Sequence, residues 1–100
     1  MKQLDVKYYP GKDYRELFDV TIDSHNCTST SIGITNDGTL LLTKEELTNN
    51  SSAYWVSREI FSIDKEEFRE YLSKAESSGH VEKAIKNGRT TSEELERLSR

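Results

Sequence analysis

Residues 53–77 read AYWVSREIFSIDKEEFREYLSKAES, and the fold turns on Ile63–Asp64 within that stretch. Up to Ile63 the apolar residues alternate. Tyr54, Val56 and Ile60 share one parity, and Trp55, Phe61 and Ile63 share the other. Apolar residues on both faces predict an interior strand, or one covered by a helix behind and a partner in front. From Asp64 the period changes to three or four. Phe68, Tyr71, Leu72 and Ala75 fall on one helical face. Asp64 is a suitable N-cap, because its carboxylate can accept from free N–H groups of the first turn. Glu67, three residues on, completes a capping box, and Ile63 with Phe68 makes a hydrophobic staple. The chain is therefore strand-first and helix-last.

Upstream, Leu4, Val6 and Tyr8 alternate with Asp5 and Lys7, which predicts a strand over about residues 3–9. Pro10-Gly11 marks a turn. Phe18, Val20 and Ile22 alternate with Asp19, Thr21 and Asp23, a strand over about 16–23. The short stretch from Tyr9 to Tyr14 suits a hairpin joining these two strands. Ser24 to Ser31 is small and polar, and reads as a loop. Ile32 and Ile34 flank Gly33 in a strand over about 31–35, where the glycine predicts a bulge or a close approach. Asn36-Asp37-Gly38 leads into Leu40-Leu41-Leu42, a strand over about 39–43. Asp-Gly between apolar runs predicts a type I′ hairpin turn. Thr43 and Glu46 have capping-box spacing, which predicts at most one or two helical turns before Asn49-Asn50-Ser51-Ser52. The next strand covers about 53–62.

Downstream, helices are expected at about 65–77, 80–87 and 92–99. Ser77-Ser78-Gly79 ends the first. Val81, Ala84 and Ile85 form a weaker stripe closed by Asn87-Gly88. Thr91 and Glu94 repeat the capping-box spacing, but only Leu95 and Leu98 anchor the last helix. A helix that short is marginal alone, so it must dock or fray. The expectation is an α+β fold: an antiparallel sheet of four to five strands, then two to three helices packed on one face. One hundred residues are too few for two cores, so residues 1–100 form a single domain.

Hydrophobic residues make up 33% of the chain and charged residues 32%, which implies a thin core. The net charge is −4. A duplex binder carries a basic surface, so direct nucleic-acid binding is not expected. Residues 1–63 hold nine acids and six bases, whereas residues 64–100 hold nine and eight. The densest acidic stretch, with Asp13, Glu16, Asp19 and Asp23, contains only Arg15 as a counter-charge. Such a surface favours a basic protein partner and speeds the encounter; solubility alone accounts for it equally well. Cys27 is alone, which fits a reducing compartment. The first residues lack the apolar core of a signal peptide, and Leu40-Leu41-Leu42 is far too short to cross a membrane. A cytoplasmic location without membrane association is expected.

No motif for chemistry stands out. His25 near Cys27 is the one pairing that resembles a thiol nucleophile and base. Most lone cysteines are inert small hydrophobes. His25, Cys27 and His80 lack metal-ligand spacing, so neither a metal nor any other cofactor is expected. Glu66-Glu67 and Glu93-Glu94 are explained by the positive end of a helix dipole; Glu45-Glu46 is explained less well. Lys86-Asn87-Gly88-Arg89 reads as an ordinary solvated helix end, as does His80 just past Gly79.

Tyr8, Tyr9, Tyr14, Tyr54 and Trp55 all lie in the acidic strand half. Tyrosine and tryptophan are rigid, amphipathic interface anchors. The residues expected to bind a partner are therefore Tyr9 and Tyr14 as anchors, with Asp13, Glu16, Asp19, Asp23, Glu45 and Glu46 as charges. The functional expectation is a non-enzymatic, small acidic inhibitor of a larger basic-surfaced protein. That target would be nucleic-acid-processing, in the manner of phage-encoded anti-defence (anti-CRISPR-like) proteins. The analogy is one of size and charge. The alternatives are a toxin-neutralising immunity protein and a self-associating homodimeric module. A small enzyme using Cys27 or a carboxylate pair is the least favoured class.

Overall fold

Five strands among the described residues form one antiparallel sheet, and three helices follow them in the chain. The computed structural model describes residues 1–4, 14–46 and 57–100. The strands are β1 (Lys2–Leu4), β2 (Tyr14–Asp23), β3 (Thr28–Thr35), β4 (Leu40–Glu46) and β5 (Ser57–Ser62). The helices are α1 (Lys65–Ser77), α2 (His80–Lys86) and α3 (Ser92–Ser99). The strand order is β1-β5-β4-β3-β2. The expected α+β architecture is what the chain adopts. The expected strand residues 5–9 and 53–56, and the turn at Pro10-Gly11, lie outside the described residues.

Among the described residues, β1 does not pair with β2 as the expected hairpin would require. β1 pairs with β5 through Gln3↔Phe61, so β1 and β2 sit at opposite edges of the sheet. The polar segment 24–31 is also shorter as a loop than its composition predicts. Only Ser24–Cys27 turn, and β3 begins at Thr28. Thr28 and Thr30 are β-branched and suit a strand, and they pair with Asp23 and Thr21 on β2. The predicted helical turns at Thr43–Leu47 do not form through Glu46; Leu47 lies outside the described residues. β4 continues to Glu46 because β3 and β5 flank it on both sides, so its backbone groups are already paired. The Asp37-Gly38 turn departs from type I′, since Gly38 alone takes positive φ (89°) while Asp37 keeps a negative one. Gly38 N–H donates to Thr35 O and Thr35 N–H to Thr39 O, each at 3.0 Å. This is the three-residue hairpin loop closed by a left-handed glycine.

Two register shifts break the alternation of β2, between Glu16 and Phe18 and between Asp19 and Thr21. An inserted residue flips the parity of everything after it. Leu17, Phe18 and Val20 are consequently all buried, and Ile22, expected on their face, is 52% exposed. Gly33, opposite Glu16, is the predicted close approach. The Tyr14 phenol lies over it so closely that a Cβ at Gly33 would overlap the ring. Tyr14 Oη is 3.5 Å from Thr43 Oγ1.

The core lies between one sheet face and the helices. Phe18, Ile32 and Leu42 meet Phe68, Ala75, Val81, Ala84 and Leu95 there. The Phe18 and Phe68 rings pack edge-to-face, 5.9 Å apart. The α1 capping box is complete: Glu67 N–H donates to Asp64 Oδ1 at 2.8 Å and Asp64 N–H to Glu67 Oε1 at 3.0 Å. The α3 box is half formed. Glu94 N–H donates to Thr91 Oγ1, but the Glu94 carboxylate is occupied by Arg15 and Thr90. His80 departs from the expectation of a solvated residue. It is half-buried, and its Nδ1 lies 3.1 Å from the Val20 carbonyl, tying α2 to β2.

Candidate functional site

Side chains that pair across an antiparallel ladder point to the same face, so the registers divide each sheet face into rows. On the helix-facing side, one row is Phe18, Ile32, Leu42 and Phe61; the next is Arg15, Ile34 and Leu40. Their apolar members lie in or against the core. Continuing the other way along the strands, the rows become polar. Thr21, Thr30, Lys44 and Glu59 form one, and Asp23, Thr28 and Glu46 form the last. All are exposed or half-exposed, because the helical layer ends with the apolar rows.

This open end presents three carboxylates, Asp23, Glu46 and Glu59, on a floor of threonines. Adjacent strands are about 4.8 Å apart and successive same-face residues about 7 Å, so Glu46 stands roughly 8–10 Å from each of Asp23 and Glu59, which are themselves roughly 16 Å apart. None of the three forms an ion pair among the described residues. Lys44, in their midst, has its ammonium over the Phe61 ring, 5.5 Å from the centroid. Glu59 receives a 3.4 Å contact from Gln3 Nε2. Asp23 also shapes the β2–β3 turn. Its Oδ1 accepts from the backbone of His25 and Asn26 at 3.1 Å each, and Asn26 Nδ2 donates to Oδ2 at 2.8 Å. The Asn26 backbone N–H, then its side chain, hold the Asp23 carboxyl below its ordinary range, so it stays charged in mild acid. Cys27 closes the turn in the left-handed region at φ 55°, with Sγ 3.7 Å from the Ser24 carbonyl. His25 engages that turn through its backbone N–H.

The other acids expected at a partner surface are engaged within the chain. Arg89 comes from the α2–α3 connection and places Nη2 3.0 Å from Glu16 and Nη1 3.0 Å from Asp19. The reading of Lys86–Arg89 as an ordinary solvated helix end is thereby corrected: Arg89 pairs with two of the four acids of the Asp13–Asp23 stretch. Arg15 grips Glu94 with two contacts of 3.0 and 2.5 Å, and also donates to Arg89 O at 2.8 Å. Thr90, buried, donates to the same Glu94 at 2.7 Å. These bonds clamp the α2–α3 connection and the start of α3 onto the edge strand β2. Glu45 is on the face away from the helices, 3.3 Å from Arg58 Nε. Tyr14 is occupied against Gly33. Tyr9 and Asp13 lie outside the described residues. The structure thus gathers Asp23 and Glu46 and sets Glu16, Asp19, Glu45 and Tyr14 to internal tasks.

Glu59 and Lys44 belong to the open end but were missed. The signal was present in the parity of Leu40, Leu42, Lys44 and Glu46, which is that of a strand running from core to solvent. Among the described residues no group of three or more His, Cys, Asp and Glu is arranged to hold a metal ion. None of their helices is long and apolar enough to cross a membrane.

The clamp makes a pH prediction. Hydrogen bonding from Arg15, then from Thr90, lowers the Glu94 carboxyl below its ordinary value despite partial burial. A depressed carboxyl contributes stability above its unfolded pKa, about 4.3, and loses it as pH falls through the lower folded value. Glu94→Gln is expected to cost about 1 kcal/mol at neutral pH, with the gap to wild type closing below about pH 4. Glu16 has the opposite sign, because partial burial raises its carboxyl more than Arg89 lowers it. Urea melts of both proteins between neutral and acid pH check this; a gap that persists at acid pH contradicts the clamp.

The chain matches no protein-family model, no curated protein sequence and no solved structure.

Proposed function

We propose that this protein is a small acidic inhibitor which binds and blocks a larger protein with a basic groove. The observation that carries this reading is the open end of the sheet. Among the described residues its three carboxylates form no ion pair, whereas Glu16, Asp19, Glu45 and Glu94 each pair with an arginine of the chain. Charge left over after internal pairing is charge available to a partner. The carboxylates sit on a hydrogen-bonded sheet rather than a loop, so little ordering entropy is lost on binding. A groove built to hold phosphates carries fixed positive charge, and carboxylates fixed on a sheet compete for it. The target class is therefore a nucleic-acid-processing protein, and the inhibitor acts in the cytoplasm in the manner of phage anti-defence proteins. Asp23, Glu46 and Glu59 carry the binding charge.

The test compares wild type with Asp23→Lys/Glu46→Lys/Glu59→Lys as immobilised bait, at low and high salt. Wild type is expected to capture one stoichiometric partner at low salt, release it at high salt, and inhibit its activity in solution. The triple variant is expected to bind that partner at least tenfold more weakly. Equal capture by both proteins at both salt concentrations sinks the reading.

A further inference from the structure

The helical layer carries a second surface, remote in the sequence from the open sheet end. α2 and α3 each pack on α1 but barely touch one another. The cause is the clamp. Arg89 and the Arg15–Glu94 pair hold the α2–α3 connection against β2, while Arg69 Nε donates to Ser99 O and holds the end of α3 to α1. α3 is thus held at both ends, apart from α2. The gap is an open groove of about 580 Å³. Leu72, Val81, Ile85 and Leu95 form its floor, and Glu76, Glu82 and Glu96 line it with negative charge. Only Glu96 has an ion-pair partner among the described residues, the exposed Arg100 at 3.2 Å.

We infer that this groove receives a cationic amphipathic helix of a partner protein. An apolar floor alone would suit any hydrophobic segment; three carboxylates around it select one whose apolar stripe is flanked by lysine or arginine. α2 and α3, 7 and 8 residues long, wall the groove over about 10–12 Å, which accommodates about two turns of guest helix. Guest residues spaced i, i+3 and i+4 would fill the floor, and the flanking cations would meet Glu76, Glu82 and Glu96. The inference does not depend on the sheet end, and its variants leave Asp23, Glu46 and Glu59 untouched.

The probe is a synthetic peptide of about 14 residues, four turns of helix, with leucine at i, i+3, i+4 and i+7 and lysine elsewhere. Its controls are a scrambled peptide of equal composition and one with glutamate in place of lysine. Amide NMR of the full chain should show saturable shifts confined to α1–α3 around the groove. Glu76→Gln/Glu82→Gln/Glu96→Gln should keep the wild-type melting curve and bind about tenfold more weakly. Absence of saturable binding, shifts centred on the sheet, or equal binding by either control peptide overturns the proposal. So do groove shifts that grow with protein concentration alone, which would make a second copy the occupant.

Discussion

Phe68→Ala is expected to destabilise the protein by about 3–5 kcal/mol, the cost of removing a buried aromatic side chain. Phe68 is fully buried, sits on the inner face of α1 and meets Phe18 edge-to-face, so it is a large apolar link between helix and sheet. Its loss removes that contact and opens a cavity between the sheet and the helices. Net stabilities of small domains are about 5–15 kcal/mol. With only 33% hydrophobic residues, this chain belongs near the lower end, so one substitution removes a large share. In thermal melts the midpoint should fall by roughly 15 °C or more. Phe68→Leu, which keeps most of the volume, should lose far less. A shift of only a few degrees for Phe68→Ala would show that the core lies elsewhere.

Arg89→Ala is expected to cost about 2 kcal/mol. Hydrogen bonds to charged groups contribute about 1.5–3 kcal/mol each when sheltered. The Arg89 side chain is 28% exposed and that of Glu16 42%, so solvent screening reduces the sum. Removing the guanidinium also leaves Glu16 and Asp19 facing each other, with Glu45 near enough to add to the repulsion. Neutralising both partners in the same background, as Glu16→Gln/Asp19→Asn, should recover much of the loss. A double-mutant cycle reads that coupling directly. An Arg89→Ala protein as stable as wild type, or a cycle with no coupling, would mean that the contacts carry no weight.

The sequence made the layer order legible because the evidence for it is local. Asp64 and Glu67 cap α1 as their spacing demands, and Phe68 to Ala75 bury the face that the period defines. The misreadings have a common origin in partners distant along the chain. Thr43 and Glu46 satisfy the local form of a cap, but β3 and β5 supply the backbone pairing and win. The acids at Glu16 and Asp19 looked uncompensated because Arg89 lies 73 and 70 residues away. Nothing near Arg89 in the sequence marks it as their partner. Conversely, Asp23 and Glu46 are brought together by β3, which places Thr28 between them. That juxtaposition became readable only once β4 was known to be a strand to its end.

The central claim is that Asp23, Glu46 and Glu59 at the sheet end, and not Glu16 and Asp19 further along β2, meet the partner. The most direct measurement is the salt dependence of affinity for the captured partner, in wild type, Asp23→Asn/Glu46→Gln/Glu59→Gln and Glu16→Gln/Asp19→Asn. The account predicts a steep loss of affinity with salt for wild type and for the β2-edge variant, and a shallow one for the sheet-end variant. A shallow slope in the β2-edge variant, with the sheet-end variant still steep, would contradict it.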